Sequence, residues 1–182
     1  MKVTKTSING VLIIKLDPII DLRGSFVEVY QKNDFSKLGI NSDFNQDIIT
    51  NCLHKNTVRG LHFQLPPQDH VKLVYCILGV VKDVVVDLRL GSPSYGKHLS
   101  IDLSSEKGNM IYIPQGLAHG FCGLSKTSTL VYKTSSIYSP KKDTGIKWDS
   151  AGISWPNETM IISERDNFFL TLEEFNSPFR FK

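Results

Sequence analysis

The residues with the most chemical reach lie within runs that read as β-strands. His62 sits in Val58-Arg59-Gly60-Leu61-His62-Phe63-Gln64. Side chains alternate faces along a strand. Regular geometry therefore groups Val58, Gly60, His62 and Gln64 on one side and Arg59, Leu61 and Phe63 on the other. An imidazole between a glycine and a glutamine suits a ligand face better than a packed core. A bulge at Gly60 would bring Arg59 round to the same side. Taken alone, a strand histidine is more often structural than catalytic. Lys72 opens Lys72-Leu73-Val74-Tyr75-Cys76-Ile77, where a solvated strand end is the plain alternative. Tyr132, in Leu130-Val131-Tyr132-Lys133-Thr134, reads equally as a packing aromatic. His119 lies in Pro114-Gln115-Gly116-Leu117-Ala118-His119-Gly120-Phe121, a run of small residues. Such a run lets a ligand approach the backbone, and it also suits a tight barrel corner.

Several reaction classes fail on spacing. A barrel metal site of the His-x-His type needs a second histidine two residues on, an acidic residue shortly after and a later histidine. The residue two after His62 is Gln64, and His70 and His119 lack the local spacing of a ligand set. No catalytic metal is expected. There is no Gly-x-x-x-x-Gly-Lys-Ser/Thr loop, no Gly-x-Gly-x-x-Gly and no Gly-x-Ser-x-Gly elbow. General acid–base chemistry remains, for which His, Lys and Tyr are suitable groups.

The scaffold that must position these groups reads as short strands broken by turns. Strand-like runs occur at residues 11–16, 25–30, 56–64, 72–78, 80–88, 99–103, 110–113, 119–123 and 129–135. The breaks carry turn chemistry: Asp21 to Gly24, Pro66-Pro67, Gly79, Gly91-Ser92-Pro93, Lys107-Gly108-Asn109, Pro114-Gln115-Gly116 and Ser139-Pro140. Val84-Val85-Val86 is too apolar for a half-exposed strand and should be central. Residues 33–38 suggest one or two helical turns, capped by Asn33 or Asp34 and stopped by Gly39. Leu172 to Phe175 suggests a short helix across the barrel. The expectation is an all-β protein, an antiparallel sandwich or barrel with few short helices, in one domain over residues 1–182.

Composition narrows the partners. Of 182 residues, 41% are hydrophobic and 21% charged, and the formal net charge is +3. That charge is too weak to draw nucleic acid, and no dense Lys/Arg run appears. No segment is long and apolar enough for a bilayer, and the N-terminal run lacks a signal-peptide pattern. Cys52, Cys76 and Cys122 stand singly, without the pairing of a disulfide framework. A cytoplasmic location with no membrane or nucleic-acid partner is expected.

From about Asp21 to Asp166 the sequence resembles the dTDP-4-dehydrorhamnose 3,5-epimerase family. The resemblance rests on Asp21-Leu22-Arg23-Gly24-Ser25-Phe26-Val27-Glu28, Arg59 to Gln64, Lys72-Leu73-Val74, Asp83 to Arg89 with Gly91-Ser92-Pro93, Ile113 to Phe121, Tyr132-Lys133-Thr134, Tyr138-Ser139-Pro140, Gly145 to Trp148, Ile153 to Pro156 and Ser163-Glu164-Arg165-Asp166. It implies a cupin-type jelly roll, a homodimer formed partly by strand exchange, no cofactor, and a nucleotide-linked 4-keto sugar as substrate. It further implies His62 as general base, Asp166 as its orienting carboxylate, Lys72 as enolate stabiliser and Tyr132 as the acid on the opposite face. Arg23, Glu28, Arg59, His119, Tyr138, Asp143 and Arg165 would contact nucleotide, diphosphate or sugar.

The chain departs from the family pattern before Arg59. The family's Gln-x-Asn and Ser-x-Ser become Gln46-Asp47-Ile48-Ile49-Thr50-Asn51-Cys52-Leu53. Gln46 and Asn51, the latter as a shifted substitute, are the candidate ligand contacts there. Arg165 stands where Lys is more usual, and Lys141-Lys142 where an acidic residue is common. A one-carbon epimerase, another dTDP- or GDP-linked ketosugar, a non-catalytic sugar-binding barrel and a metal-dependent barrel enzyme stay open as alternatives.

Overall fold

The computed structural model describes residues 1–156 and 159–181. Two antiparallel sheets face one another. The six-stranded sheet has the order β1-β2-β10-β7-β12-β5 and the five-stranded sheet β13-β6-β11-β8-β9. The first is built from β1 (Lys2–Lys5), β2 (Leu12–Lys15), β5 (Gln46–Cys52), β7 (Lys72–Leu78), β10 (Asn109–Ile113) and β12 (Ser128–Thr134). The second is built from β6 (Val58–Gln64), β8 (Val80–Asp87), β9 (His98–Ser104), β11 (Leu117–Gly123) and β13 (Asp143–Gly145). A separate hairpin joins β3 (Ile19–Asp21) to β4 (Gly24–Phe26). The helices are α1 (Lys32–Lys37) and α2 (Glu164–Asn167). The fold is a jelly-roll barrel: strand spacing predicts an antiparallel sandwich or barrel, and the jelly roll is what the family resemblance implies.

Three clusters hold the layers. Val74, Cys76, Val85, Leu103, Ile111, Phe121 and Leu130 interdigitate between the sheets. The outer face of the five-stranded sheet, with Leu61, Phe63, Val84 and Val86, is covered by Ile146, Ile153, Trp155 and Phe179. On the six-stranded sheet, Phe35 of α1 and Ile40 cover Ile14, Leu73 and Met110. Val84, Val85 and Val86 are all fully buried because β8 is covered on both faces. Burial of each such side chain contributes roughly 1.5–3 kcal/mol.

The strand carrying His62 departs from simple alternation. His119 pairs with His62 but Phe121 pairs with Arg59, so two residues of β6 oppose Gly120 alone. Gly60 has φ +130°, and a Cβ there would sit 2.5 Å from the Gly120 Cα. Only paired glycines permit this approach. The bulge reverses face parity: Val58 joins Leu61 and Phe63 on the outside, and Arg59 shares the inner side with His62. The expected placement of Val58 beside His62 is thereby corrected.

Other local expectations shift for identifiable reasons. Gln31, not Asn33 or Asp34, caps α1, its longer amide accepting from Asn33 N and Asp34 N. Residues 172–175 form one hydrogen-bonded turn, with Glu174 receiving the Thr171 N–H and hydroxyl, instead of a helix. Strands β1, β3, β5 and β13 add to those expected. The run expected over 25–30 pairs only through Phe26.

Candidate active site

The two sheets contribute opposite walls of a cavity of about 140 Å³. From the five-stranded sheet come Arg59, His62 and His119; from the six-stranded sheet come Thr50, Lys72 and Tyr132. Strand pairing sets this arrangement. His62 and His119 are direct partners across β6 and β11, while Lys72 opens β7 and Tyr132 pairs with Val74 two residues further along it. Thr50 reaches the cavity because β5 alternates, with Gln46, Ile48 and Thr50 turned inward and Asp47, Ile49 and Asn51 exposed.

His62 is held by a carboxylate. Its Nε2 lies 2.8 Å from Asp166 Oδ1, and Asp166 Oδ2 accepts from Gly60 N at 3.0 Å. A carboxylate only accepts, so neutral His62 carries its proton on Nε2 and keeps Nδ1 as a free base. Asp166 sits in α2, where Ser163 caps the helix by accepting from Asp166 N. Burial alone would raise the Asp166 carboxyl. The His62 bond and charge, with the Gly60 and Ser163 contacts, outweigh it and hold the group below the usual carboxylate value. The bulge at Gly60 thus both re-aims Arg59 and supplies a donor to the carboxylate behind the imidazole.

The remaining groups are tuned mainly by burial. It pushes the Lys72 ammonium down to about 8, against the opposing pull of Asp143 and Asp83. Lys72 Nζ donates to His62 O at 3.2 Å. Burial raises the Tyr132 phenol above its ordinary value, with Thr50 pulling the other way. His119 Nε2 meets Asp83 Oδ2 at 2.8 Å, and its ring packs edge-on to Tyr132 with centroids 5.7 Å apart. Burial holds His119 below the ordinary histidine value, so it is neutral near pH 7.

The other expected contacts divide into four groups. Arg59 lines the cavity and donates to Asn51 O at 3.4 Å. Asp143 receives the Arg165 guanidinium at 2.6 Å. Arg165 also stacks over Phe169, whose ring packs edge-on to His62 at 5.7 Å, so these residues brace the base from behind. Gln46 and Tyr138 meet each other, Gln46 Oε1 accepting from Tyr138 N, and neither lines the cavity. Asn51 does not reach the cavity: its side chain is on the exposed face of β5 and accepts from Thr129. Arg23 and Glu28 do not reach it within this chain either. Arg23 pairs with Asp21 at the tip of the exposed β3–β4 hairpin, its side chain 91% exposed.

Sequence reasoning passed over Thr50, Asp83 and Phe169. Recognising β5 as a strand would have selected Thr50 by alternation. An aspartate inside Val80-Val81-Lys82-Asp83-Val84-Val85-Val86 was itself a signal. Nothing local marked Phe169. Gln64 has a structural task, accepting from Ser139 N at 2.6 Å and donating to Gln68 O at 2.9 Å. A larger hollow of about 530 Å³ near Pro114, Phe179 and Arg180 lies apart from these groups. Its buried Arg89 is consumed by Asp87.

A free imidazole base, a buried ammonium and a phenol on the opposite wall form a set for moving protons on and off a carbon acid. Fold and site together define a class: a jelly-roll isomerase of the carbohydrate-epimerase type. The family model for dTDP-4-dehydrorhamnose 3,5-epimerase matches residues 5–174, and the chain belongs to that family. It is 41% identical over 169 residues to the dTDP-4-dehydrorhamnose 3,5-epimerase of Shigella flexneri, covering 91% of this chain and 93% of that one. It is 34% identical over 177 residues to a dTDP-4-dehydrorhamnose 3-epimerase of Streptomyces niveus, covering 96% and 85%. Its structure is similar to that of dTDP-6-deoxy-D-glucose-3,5-epimerase from Legionella pneumophila Philadelphia 1 in complex with dTDP-4-keto-L-rhamnose. That comparison gives a TM-score of 0.94 and 34% identity, with 100% and 98% of the chains covered.

Proposed function

We propose that this chain inverts carbons 3 and 5 of dTDP-4-keto-6-deoxyglucose, yielding dTDP-4-keto-rhamnose. The observation that carries the reading is the placement of His62 and Tyr132 on opposite walls of one cavity, with Lys72 reaching from the Tyr132 wall to donate to His62 O. His62 Nδ1 takes the proton from the ring carbon beside the ketone. The C–H electron pair moves into the ring and places charge on the ketone oxygen as an enolate. Lys72 stabilises that oxygen by charge. The electron pair then returns to carbon and takes a proton from Tyr132 on the other face, which inverts the centre. Asp166 fixes the His62 tautomer and favours the imidazolium that forms.

Arg59, His119, Tyr138, Gln46, Asp143 and Arg165 would shape the rim for the sugar and diphosphate. Arg23 and Glu28 would complete the site in a homodimer. The hairpin that carries Arg23 exposes Ile19, Ile20, Leu22 and Phe26, an apolar surface that suits burial against a second copy. A cytoplasmic setting fits three buried cysteines that form no disulfide. Among the described residues, no helix is long and apolar enough to cross a membrane.

Incubation with dTDP-4-keto-6-deoxyglucose in deuterated water, read by NMR, tests the reading. Deuterium at both carbons is expected. Label at one carbon would select a single-site epimerase, a second reading favoured by the likeness to the 3-epimerase of Streptomyces niveus. No incorporation would overturn the enzymatic reading for this substrate.

A further inference from the structure

Strand β8 carries two aspartates on its inner face, both fully buried. Asp87 is saturated: it accepts from Arg89 N, Arg89 Nε and Nη2, and the hydroxyls of Ser92 and Ser94. Asp83, four residues earlier, differs. Its Oδ2 meets His119 Nε2 at 2.8 Å, while its Oδ1 is buried with no hydrogen-bond partner among the described residues. A buried carboxylate with a bare oxygen is costly to the fold. A carboxylate kept only for stability would be satisfied as Asp87 is.

We propose that Asp83 is a positioning residue of the epimerase: its buried charge keeps Lys72 cationic, and its bond to His119 leaves the His119 Nδ1 lone pair as an acceptor for a sugar hydroxyl. The proposal rests on the reading of the cavity as an epimerase site. The tautomer follows from the bond, because an acceptor-only carboxylate at Nε2 requires the proton of neutral His119 to be there. The charge effect follows from the surroundings of Lys72. His62 and Arg59 of β6, His119 of β11 and Tyr132 of β12 bring no negative charge to the cavity near neutral pH, and His70 on the approach to β7 is neutral. The carboxylates acting on Lys72 are Asp143 of β13 and Asp83 of β8. Asp143 is already engaged by Arg165. Asp143 has the larger pull of the two on Lys72 but shares its charge with Arg165, whereas Asp83 adds a pull that no cation shares.

The test is Asp83→Asn, which removes the charge and keeps the shape. The 15N signal of Lys72 Nζ in the free protein should show its midpoint falling by about one pH unit. The alkaline limb of kcat/KM should move down by the same amount. Thermal stability should hold or rise, because a poorly satisfied charge has been removed. An unmoved Lys72 midpoint would overturn the proposal. So would a lowered melting temperature with an unmoved limb, which is the signature of a merely structural residue. His119→Gln keeps the carboxylate, so its Lys72 midpoint should match the wild type; a fall equal to that of Asp83→Asn would assign the effect to the imidazole instead. The two readings fail separately. A wild-type protein that exchanges no deuterium overturns the epimerase reading, while the Lys72 midpoint in the free protein still decides the role of Asp83.

Discussion

Lys72 sets the pH range in which the proposed chemistry works. Its ammonium titrates at about 8, whereas burial keeps the Tyr132 phenol above its ordinary value. As pH rises, Lys72 is the first of the two to lose its proton. kcat/KM is therefore expected to fall above about pH 8, measurable in a pH-rate profile. Lys72→Met should lower kcat about 100- to 1000-fold, the loss typical of removing one stabiliser of a developing oxyanion. Substrate affinity should change less, because the charge is needed most when the enolate forms; a KM-only defect would argue against the role. Asp166 acts one atom further out. Asp166→Asn leaves the packing of α2 but lets the amide donate to His62 Nε2, which would move the imidazole proton to Nδ1 and block the base. Deuterium incorporation should fall about 100-fold or more, with nucleotide binding retained in a calorimetric titration.

At the scale of the element, the bulge in β6 does three things at once. It turns Arg59 inward, keeps His62 opposite His119 and presents Gly60 N to Asp166. Gly60→Ala would place a methyl group 2.5 Å from the Gly120 Cα at φ +130°. The expected cost is about 2–4 kcal/mol of stability, read by denaturant unfolding, together with loss of activity. Much of this strand was legible beforehand. The glycine signalled a bulge, and the run containing His62 was apolar enough to name a strand. Parity was not legible, because whether a strand is regular or bulged depends on what its neighbour accommodates, here Gly120 across the pair. The same reason hid β5. Its sequence Gln46-Asp47-Ile48-Ile49-Thr50 has weak alternation of polarity, and it becomes a strand because β12 offers a free edge along Ser128–Thr134.

Across the whole molecule, the barrel protects buried neutral imidazoles, and this has a cost in acid. His70 is held near 3 by burial, with Lys72 and His119 adding to the shift, against an ordinary 6.5. The unfolded chain therefore binds a proton at His70 that the folded chain refuses. Stability from this group is fully present above pH 6.5 and lost progressively as pH falls toward 3. His119 shifts in the same direction. The melting temperature should decline on acidification from pH 6.5, and His70→Gln should flatten that decline; an identical slope in the variant would place the sensitivity elsewhere. The exposed apolar hairpin is the other molecular-scale feature. Leu22→Asp should shift sedimentation toward a monomer and weaken activity together, since Arg23 lies beside it on the hairpin and Glu28 follows two residues after the second strand.

What the sequence determined by itself was local or chemical in kind. Apolar runs and turn residues defined most strands. Residue type and spacing argued against a His-x-His metal site and left His62, Lys72 and Tyr132 as proton-handling groups, and the family pattern added Asp166. Only the tertiary structure decided which of them meet. Asp166 lies 104 residues from His62 and touches it at 2.8 Å because α2 docks on β6. Asn51 and Thr50 are neighbours in the chain, yet the pleat turns one outward and the other into the cavity. Asp83 gained its meaning from burial beside His119 with one oxygen left bare. Distance, facing and desolvation depend on contacts between segments remote in sequence, and those contacts exist only once both sheets have closed.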